Sequence, residues 1–293
     1  MIYNTIKLKP TKQKITFELI RDQKALLMPV GDIHWYSTGF PVEKLRTHFQ
    51  WGMDRGATFF GMGDYLEWAP ASQRKLIGPL RDSQKGIIDE FVKRMLDELL
   101  DVIGFTKGHW IGLIEGNHRH DFLDSTCDGQ YLANALGCDF YGTSALMRLH
   151  PSGVRSYHHE ADTIMFAHHG TGSAITVGGQ LVRVERLMEW INADLYLMGH
   201  SHSKVNAPVD EQHISPDGVH YHRTKIVART GGWFRGYLSS TPRPLNSSAM
   251  LSRGSYVEEK ALMPSSMGGL CIAIGVEQIV GSKYYRPVLH YSV

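Results

Sequence analysis

The chain has 293 residues, 42% of them hydrophobic and 20% charged, which is enough to bury a large core and ordinary for a globular protein. Its 31 lysines and arginines nearly balance 29 acidic residues, so the composition does not indicate a nucleic-acid-binding protein, although a local basic patch would suffice for binding. The 3 cysteines lack metal-ligand spacing and suit a reducing compartment, whereas 16 histidines are many for this length.

Before residue 204 the chain alternates predicted strands with predicted helices. Apolar or alternating runs predict strands over 15–20, 25–30, 58–60, 110–114, 163–167 and 195–198. Apolar residues at helical spacing predict helices from Val42 to Met53 and over 84–103, 131–136 and 181–191. From Lys204 onward the sequence has strand patterns with glycine, serine and proline turns. Because no repeat or linker is visible, we expect one domain over 1–293 whose C-terminal part, from about residue 204, is β-rich.

The sequence predicts neither a secretory signal nor a membrane-spanning helix. The N-terminal segment lacks an apolar signal core, and no apolar run approaches the roughly 18–20 residues of a membrane helix. We therefore expect a cytoplasmic protein that does not associate with membranes. The sequence makes no prediction of its oligomeric state.

Residues able to bind a cation follow five of the predicted strands. The stretch LYLMGHSH, from Leu195 to His202, runs apolar and then presents two histidines that project to the same side of an extended chain. Any one such ending could be an ordinary polar loop, but the pattern recurs at Asp32-Ile33-His34, Asp64, Asn117-His118, His168-His169 and His200-Ser201-His202. Because ligands gather at the carboxyl ends of strands in α/β proteins, we expect the five endings to converge on one site.

The mixture of side chains at these endings indicates which metals they suit. Two carboxylates, an amide oxygen and several imidazoles, without a thiolate, favour a transition metal over calcium and differ from a cysteine-rich structural zinc site. Seven ligands are too many for one tetrahedral ion but natural for two ions that share a bridge. We expect two divalent transition-metal ions, manganese first, with iron or zinc as alternatives.

Taken in order, Asp-x-His, Gly-Asp, Gly-Asn-His, His and Gly-His-x-His resemble the signature of the calcineurin-like metallophosphoesterase superfamily, whose members are binuclear metal phosphoesterases. The resemblance spans Asp32 to His202. It implies an α/β (α+β) fold, a four-layer αββα sandwich of two mixed β-sheets flanked by helices.

The resemblance also implies a role for each motif residue. It implies that one ion is held by Asp32, His34 and His202. It implies that the other ion is held by Asn117, His168 and His200, with Asp64 bridging the two. His118 would be catalytic rather than a ligand, donating to the phosphate and assisting the leaving oxygen.

Two positions depart from the family pattern or leave it ambiguous. Arg119 stands where the family usually has an acid after Gly-Asn-His, so either Asp121 takes over as an orienting group or Arg119 contacts the substrate phosphate. His168 and His169 compete for one ligand position, and adjacent strand residues face opposite ways, so only one of them should bind. We choose His168, because the pattern His-x-Gly resembles several branches of the family.

The implied reaction is hydrolysis of a phosphate ester by attack of a metal-bound hydroxide. A phosphodiester is the preferred substrate, with DNA as a candidate, because the superfamily includes DNA-repair nucleases and the region from Lys204 leans basic. The alternatives are a phosphomonoesterase acting on small molecules or phosphoproteins and, less favoured because every ligand position is filled, a non-catalytic interaction module. The candidate substrate-binding cations are Arg119, Arg74 and Arg235, the last two in segments that ordinary loop packing would explain equally well.

Overall fold

Thirteen β-strands and four α-helices make up the regular structure of the residues that the computed structural model describes, which are 4–9, 12–18, 24–37, 40–68, 79–152, 161–172, 174, 176–234, 236–237 and 264–292. The helices are α1 Val42–Met53, α2 Asp82–Ile103, α3 Asp128–Leu136 and α4 Val177–Glu185. The first seven strands are β1 Asn4–Lys9, β2 Lys12–Glu18, β3 Ala25–Val30, β4 Thr58–Gly61, β5 Trp110–Leu113, β6 Ser144–Ser152 and β7 Thr163–His168. The remaining six are β8 Leu195–Met198, β9 Lys204–Ile214, β10 His220–Gly232, β11 Gly268–Gly269, β12 Cys271–Gln278 and β13 Tyr285–Ser292.

The strands form two mixed sheets. The five-stranded sheet has the order β13-β12-β3-β4-β5, in which β3, β4 and β5 are parallel and the other neighbours are antiparallel. The eight-stranded sheet has the order β1-β2-β6-β7-β8-β10-β11, with β9 antiparallel to β10. Within it β7, β8 and β10 are parallel neighbours. The strands after residue 204 thus contribute to both sheets.

The two sheets pack face to face through their apolar inner surfaces. Leu27, Phe60 and Ile272 from the five-stranded sheet lie in one buried cluster with Met165 and Leu197 from the eight-stranded sheet. Strand side chains alternate between faces, so one face of each sheet supplies this central layer and the other face is left for helices.

Helices cover both outer faces. On the five-stranded sheet, Phe59 and Trp110 lie in a buried cluster with Phe49 of α1, Leu96 of α2 and Leu132 of α3. On the eight-stranded sheet, α4 contributes Val184 to a separate cluster, which Tyr196 and Val227 share. The order of layers is therefore helix, sheet, sheet, helix, and the predicted αββα sandwich is confirmed. The helices in the described ranges include none with the length and apolar character needed to cross a membrane.

Helix α4 begins earlier than the apolar spacing predicts. The predicted helix spans 181–191, whereas α4 starts at Val177 and is followed by a 3₁₀ turn, Arg186–Glu189. Thr176 caps the helix, because its hydroxyl oxygen accepts a hydrogen bond from the Gly179 backbone N–H at 3.2 Å. The cap overrides the low helix propensity of two glycines in the first turn.

The loops after β3 and β4 run side by side at the carboxyl edge of the five-stranded sheet. The Asp32 backbone N–H donates to the Gly63 carbonyl at 2.9 Å, and the His34 backbone N–H donates to the Asp64 carbonyl at 3.0 Å. Strands β7 and β8 end at neighbouring positions, where His168 pairs with Met198. This geometry brings the predicted cation-binding endings to one place.

Candidate metal centre

Several endings of these strands adopt backbone conformations that are rare for residues with a side chain. Asp32, His34, Asp64, His200 and His202 have φ values between 48° and 70°, and they are five of the seven non-glycine residues with positive φ among the described residues. Each such conformation costs about 1–3 kcal/mol and persists only where the surroundings impose it. Strain of this kind concentrates at functional sites, which makes the carboxyl edge of the sheets the candidate site.

Asp32, His34 and His202, here called the Asp32 group, converge after β3 and β8. His34 Nε2 lies 3.1 Å from His202 Nε2, and His202 Nε2 lies 3.6 Å from Asp32 Oδ1. One ligand atom from each residue lies within 4.8 Å of the others. Two imidazole nitrogens that point at each other beside a carboxylate suit a shared cation better than a hydrogen bond between them.

Asp64, Asn117, His169 and His200, here called the Asp64 group, meet beside it. His169 Nε2 lies 3.1 Å from Asp64 Oδ2 and 3.0 Å from Asn117 Oδ1. Asn117 Oδ1 is also 2.5 Å from His200 Nδ1, so one amide oxygen faces two imidazoles. The donor set of both groups is carboxylate, amide oxygen and imidazole without thiolate, which fits divalent manganese, iron or zinc.

The Asp64 carboxylate lies between the two groups. Its Oδ2 is 3.1 Å from His169 Nε2 and 3.8 Å from His34 Nε2, while Oδ1 accepts a hydrogen bond from the His118 backbone N–H at 2.8 Å. A Cβ atom on Gly116 would lie 2.0 Å from Asp64 Oδ1, so only glycine allows the loop after β5 to approach this carboxylate. Close packing against Asp64 therefore explains why the motif has glycine at position 116, directly before Asn117.

Hydrogen bonds from the outer ring nitrogens orient two of the imidazoles. His34 Nδ1 lies 2.6 Å from Glu67 Oε2, and His169 Nδ1 lies 2.8 Å from the Met62 carbonyl oxygen. Since both partners can only accept, each Nδ1 carries a proton, and in the neutral ring Nε2 presents its lone pair to the centre. This is the arrangement of metal-ligating histidines in proteins.

The structure places His169, and not the predicted His168, in the Asp64 group. Along β7, Ala167 faces the central layer between the sheets, whereas Phe166 faces the cluster under α4. His168 shares the Phe166 face, and its Nδ1 accepts a hydrogen bond from the Gly170 backbone N–H at 2.7 Å. The two neighbours diverge, as expected, but alternation along β7 carries His169, and not the chosen His168, toward Asp64 and Asn117.

The pKa values of Asp32 and Asp64 are shifted in opposite directions by burial and by neighbouring charges. Burial is the largest influence on Asp32 and, with the neighbouring Asp64 charge, raises its pKa to about 6 despite the opposing charge of His169. Burial also opposes ionisation of Asp64, but the hydrogen bond and charge of His169 hold the pKa of Asp64 well below its usual value. In turn, the pKa of His169 is lowered by burial but raised more strongly by Asp64, to about 9. The charged forms of Asp64 and His169 therefore stabilise each other. A divalent cation bound between them would take over this role from the His169 proton.

His118 lies at the edge of the centre, and its ring centroid is 4.9 Å from that of His34. Its Nδ1 lies 2.7 Å from the Trp68 carbonyl oxygen, so a backbone group and not Asp121 orients the ring. Arg119 pairs instead with Glu115 at 2.6 Å and with Asp121 at 3.4 Å. The other two predicted substrate-binding cations, Arg74 and Arg235, lie outside the described residues.

Three side chains near the centre lie outside the strand-end motifs: Glu67, Asp89 and His120. Glu67 follows Asp64 by three residues, and its side chain returns to the same loop edge, where it contacts His34. Asp89 is buried against His120 at 2.7 Å. Only the tertiary packing of α2 on the loop after β5 reveals that contact.

Comparisons with known proteins add little to this geometry. No protein-family model matches the chain, and no curated protein matches it in sequence. Among solved structures, it is similar to a conserved uncharacterized protein from Streptococcus pneumoniae TIGR4 that is described as a predicted phosphoesterase. The two are 12% identical, the match covers 91% of this chain and 98% of that one, and the TM-score is 0.29. This score is too low to indicate a shared fold, so the function proposed below rests on the residues themselves.

Proposed function

We propose that the chain is a metal-dependent phosphoesterase that binds two divalent transition-metal ions, manganese first, with iron or zinc as alternatives. The observation that carries the proposal is the place of Asp64, whose Oδ2 lies 3.1 Å from His169 Nε2 and 3.8 Å from His34 Nε2. A carboxylate shared by two sets of imidazoles suits a pair of ions that lie about 3.5–4 Å apart in two-metal sites.

The residues divide between the ions according to their grouping. Asp32, His34 and His202 would hold one ion, Asn117, His169 and His200 would hold the other, and Asp64 would bridge them. When bound, two such ions activate water as a nucleophile and neutralise charge on a phosphate group. Glu67 and the Met62 carbonyl keep His34 and His169 turned toward the centre through their Nδ1 atoms.

His118 supplies the acid of the proposed reaction. Its backbone N–H is fixed on Asp64 at 2.8 Å and its Nδ1 on the Trp68 carbonyl at 2.7 Å, so Nε2 is the ring nitrogen that remains for the substrate. From there the doubly protonated ring of His118 would donate a hydrogen bond to a phosphate oxygen and then pass its Nε2 proton to the leaving oxygen, while Nδ1 keeps its proton on the Trp68 carbonyl. We assign His118 a place beside the ions, because its Nδ1 lies on the Trp68 carbonyl and seven other residues supply the proposed ligands.

The substrate class we propose is a phosphodiester, with DNA as a candidate and a phosphomonoester as the alternative. Support comes from the resemblance to a superfamily that includes DNA-repair nucleases and from the basic region that begins at Lys204. An assay on several phosphate esters in parallel separates these classes directly.

The test begins with chelator-treated protein reconstituted with Mn²⁺, Fe²⁺ or Zn²⁺. Elemental analysis should find two ions per chain, and the reconstituted protein should hydrolyse bis-p-nitrophenyl phosphate faster than p-nitrophenyl phosphate. Cleavage of single- or double-stranded DNA would support DNA as the substrate. Turnover of the monoester alone would favour the phosphomonoesterase alternative. Protein that holds both ions and hydrolyses none of these substrates would contradict the proposal and favour a non-catalytic binding module.

A further inference from the structure

A chain of hydrogen bonds runs from His118 to helix α2. His118 Nδ1 lies 2.7 Å from the Trp68 carbonyl oxygen, and Trp68 Nε1 lies 3.1 Å from His120 Nδ1. At the far end, His120 Nε2 lies 2.7 Å from Asp89 Oδ1, and Asp89 Oδ2 accepts from the Leu123 backbone N–H at 2.9 Å. Trp68 lies in the loop after β4, His118 and His120 lie in the loop after β5, and Asp89 lies on α2.

The chemistry of the groups fixes the direction of every bond in this chain. An indole N–H can only donate, so His120 Nδ1 must accept from Trp68, and the His120 proton is then on Nε2, where it is donated to the Asp89 carboxylate. A backbone carbonyl can only accept, so His118 Nδ1 must donate to Trp68. Consequently the chain fixes the tautomer of His120 and the proton on His118 Nδ1, and His118 Nε2 is the ring nitrogen that lies outside the chain.

Burial makes this chain of bonds costly to break. The residue Asp89 is 8% exposed and His120 is 4% exposed. A buried carboxylate without partners would be strongly destabilising, and both oxygens of Asp89 have one. The Trp68 ring also packs edge-on against His120, with ring centroids 5.5 Å apart, and lies 6.3 Å from Phe91. The contacts of the Trp68 side chain therefore fix the position of the Trp68 backbone, including its carbonyl.

We propose that Trp68 is the positioning residue for His118 and that His120 and Asp89 hold Trp68 in place. The proposal rests on the function proposed above in that it takes His118 as the proton donor. It also accounts for Arg119, which stands where the resembling family has an acid. The Trp68 carbonyl serves as the orienting acceptor of His118, and the nearby acid Asp121 contacts Arg119 at 3.4 Å.

The variant Trp68→Phe tests the proposal, because it deletes the indole N–H and keeps an aromatic ring for packing. A displacement of His118 on the order of 1 Å should lower kcat on bis-p-nitrophenyl phosphate by roughly 10- to 100-fold, with KM changed by less than about twofold. Elemental analysis should still find the wild-type metal content. A second measurement, independent of turnover, is the rate at which diethyl pyrocarbonate acylates His118, followed by peptide mass spectrometry. We expect that rate to rise severalfold.

Trp110→Phe is the matched control. Trp110 is 6% exposed and its Nε1 donates to Thr106 Oγ1 at 2.7 Å, so this variant, like Trp68→Phe, deletes one indole hydrogen bond. Trp110 begins β5, at the end opposite to His118. Both variants should lower Tm, but only Trp68→Phe should change kcat and the acylation of His118. The variant Asp89→Asn, which alters the far end of the chain, should show the signature of Trp68→Phe to a smaller extent.

Unchanged kcat and unchanged acylation of His118 in Trp68→Phe would overturn the proposal, as would equal changes in Trp110→Phe. If the wild-type protein hydrolyses no phosphate ester, the acylation rates still decide. Faster acylation in Trp68→Phe alone would then support the positioning role while the proposed function fails.

Discussion

The two halves of the candidate centre are held in different ways. The Asp32 group draws on the loops after β3 and β8, and its His34 is oriented by the side chain of Glu67, which is 37% exposed. The Asp64 group draws on the loops after β4, β5, β7 and β8, and its His169 is oriented by the buried carbonyl of Met62. An exposed side chain moves more easily than a backbone carbonyl inside a sheet edge. We therefore expect the Asp64 half to be the more rigid and the Asp32 half to be the more easily perturbed.

The largest expected effect comes from the residue that the two halves share. Asp64→Asn replaces the carboxylate between His169 and His34 with a neutral amide, so it should weaken both ion sites together and abolish metal-dependent turnover. Elemental analysis after equilibration at limiting metal concentration measures the loss. Loss of one ion only would mean that Asp64 belongs to a single half.

Asp128→Asn is the matched control for that experiment. Asp128 is 3% exposed, and burial raises its pKa to about 7, so it is also a buried aspartate in an unusual electrostatic environment. It lies at the start of α3 and in neither ligand group. The control variant should retain both ions.

The next largest effect should fall on catalysis and spare both halves. His118→Ala removes the proposed proton donor while leaving the seven assigned ligands in place, so kcat should fall roughly 10²- to 10⁴-fold with the metal content unchanged. Steady-state kinetics and elemental analysis on the same preparation separate the two quantities. Metal content reduced by half would instead make His118 a ligand.

His169→Ala and His168→Ala test the assignment inside the Asp64 half. His169→Ala removes an imidazole that contacts Asp64 and Asn117, so one ion should be lost or bound far more weakly. His168→Ala should keep both ions, since His168 shares the strand face that packs under α4. Equal metal loss in both variants would show that the loop after β7 binds in a conformation other than the one described.

The sequence predicts those parts of the fold that depend on local pattern. The apolar runs place β3, β4, β5, β7 and β8 within a residue or two, because a buried strand must be apolar over its whole length. The layered sandwich came from the resemblance, since strand order depends on pairing between segments far apart in the chain. The start of α4 was missed because a single threonine cap, and not the apolar spacing, decides where that helix begins.

In the candidate site too, local sequence pattern decides the placement of some residues, and that of the others depends on tertiary packing. Asp32, His34, Asp64, Asn117, His200 and His202 are brought together as the motif spacing predicts, because each follows a strand whose end is visible in the sequence. The structure brings His169, and not the chosen His168, to the Asp64 group, because the pairing of β7 with β6 and β8 fixes which face of β7 points inward. Asp89 and His120 were not found because their contact exists only after α2 packs on the loop after β5.

The side-chain support of the Asp32 half predicts a smaller effect that is confined to that half. Glu67→Gln removes the charge opposite His34 Nδ1, so the affinity for one ion should fall roughly 10- to 100-fold while the other ion is unaffected. Titration calorimetry on chelator-treated protein resolves the two affinities. Glu115→Gln is the control, because Glu115 is a nearby carboxylate that pairs with Arg119 at 2.6 Å and belongs to neither half. Weakening of both ions by Glu67→Gln would show that the halves are not independent.

The smallest expected effect is on the stability of chelator-treated protein. Asp32→Asn and Asp64→Asn should change the free energy of unfolding in opposite directions. The pKa of Asp32 is raised by burial from 3.8 to about 6, so the folded state holds this proton more tightly than the unfolded state, and stability falls as pH rises from about 4 through about 6. Asp32→Asn removes this penalty and should raise the free energy of unfolding at pH 8 by no more than about 3 kcal/mol, at about 1.4 kcal/mol per pKa unit. The pKa of Asp64 is lowered, so its ionised form stabilises the fold above the unfolded pKa, and Asp64→Asn should lower the free energy of unfolding at pH 8. Urea unfolding at pH 8 and again near pH 4 measures both, and the gain from Asp32→Asn should vanish at the lower pH. If both variants shift stability in the same direction at pH 8, the electrostatic contrast between the two carboxylates does not exist.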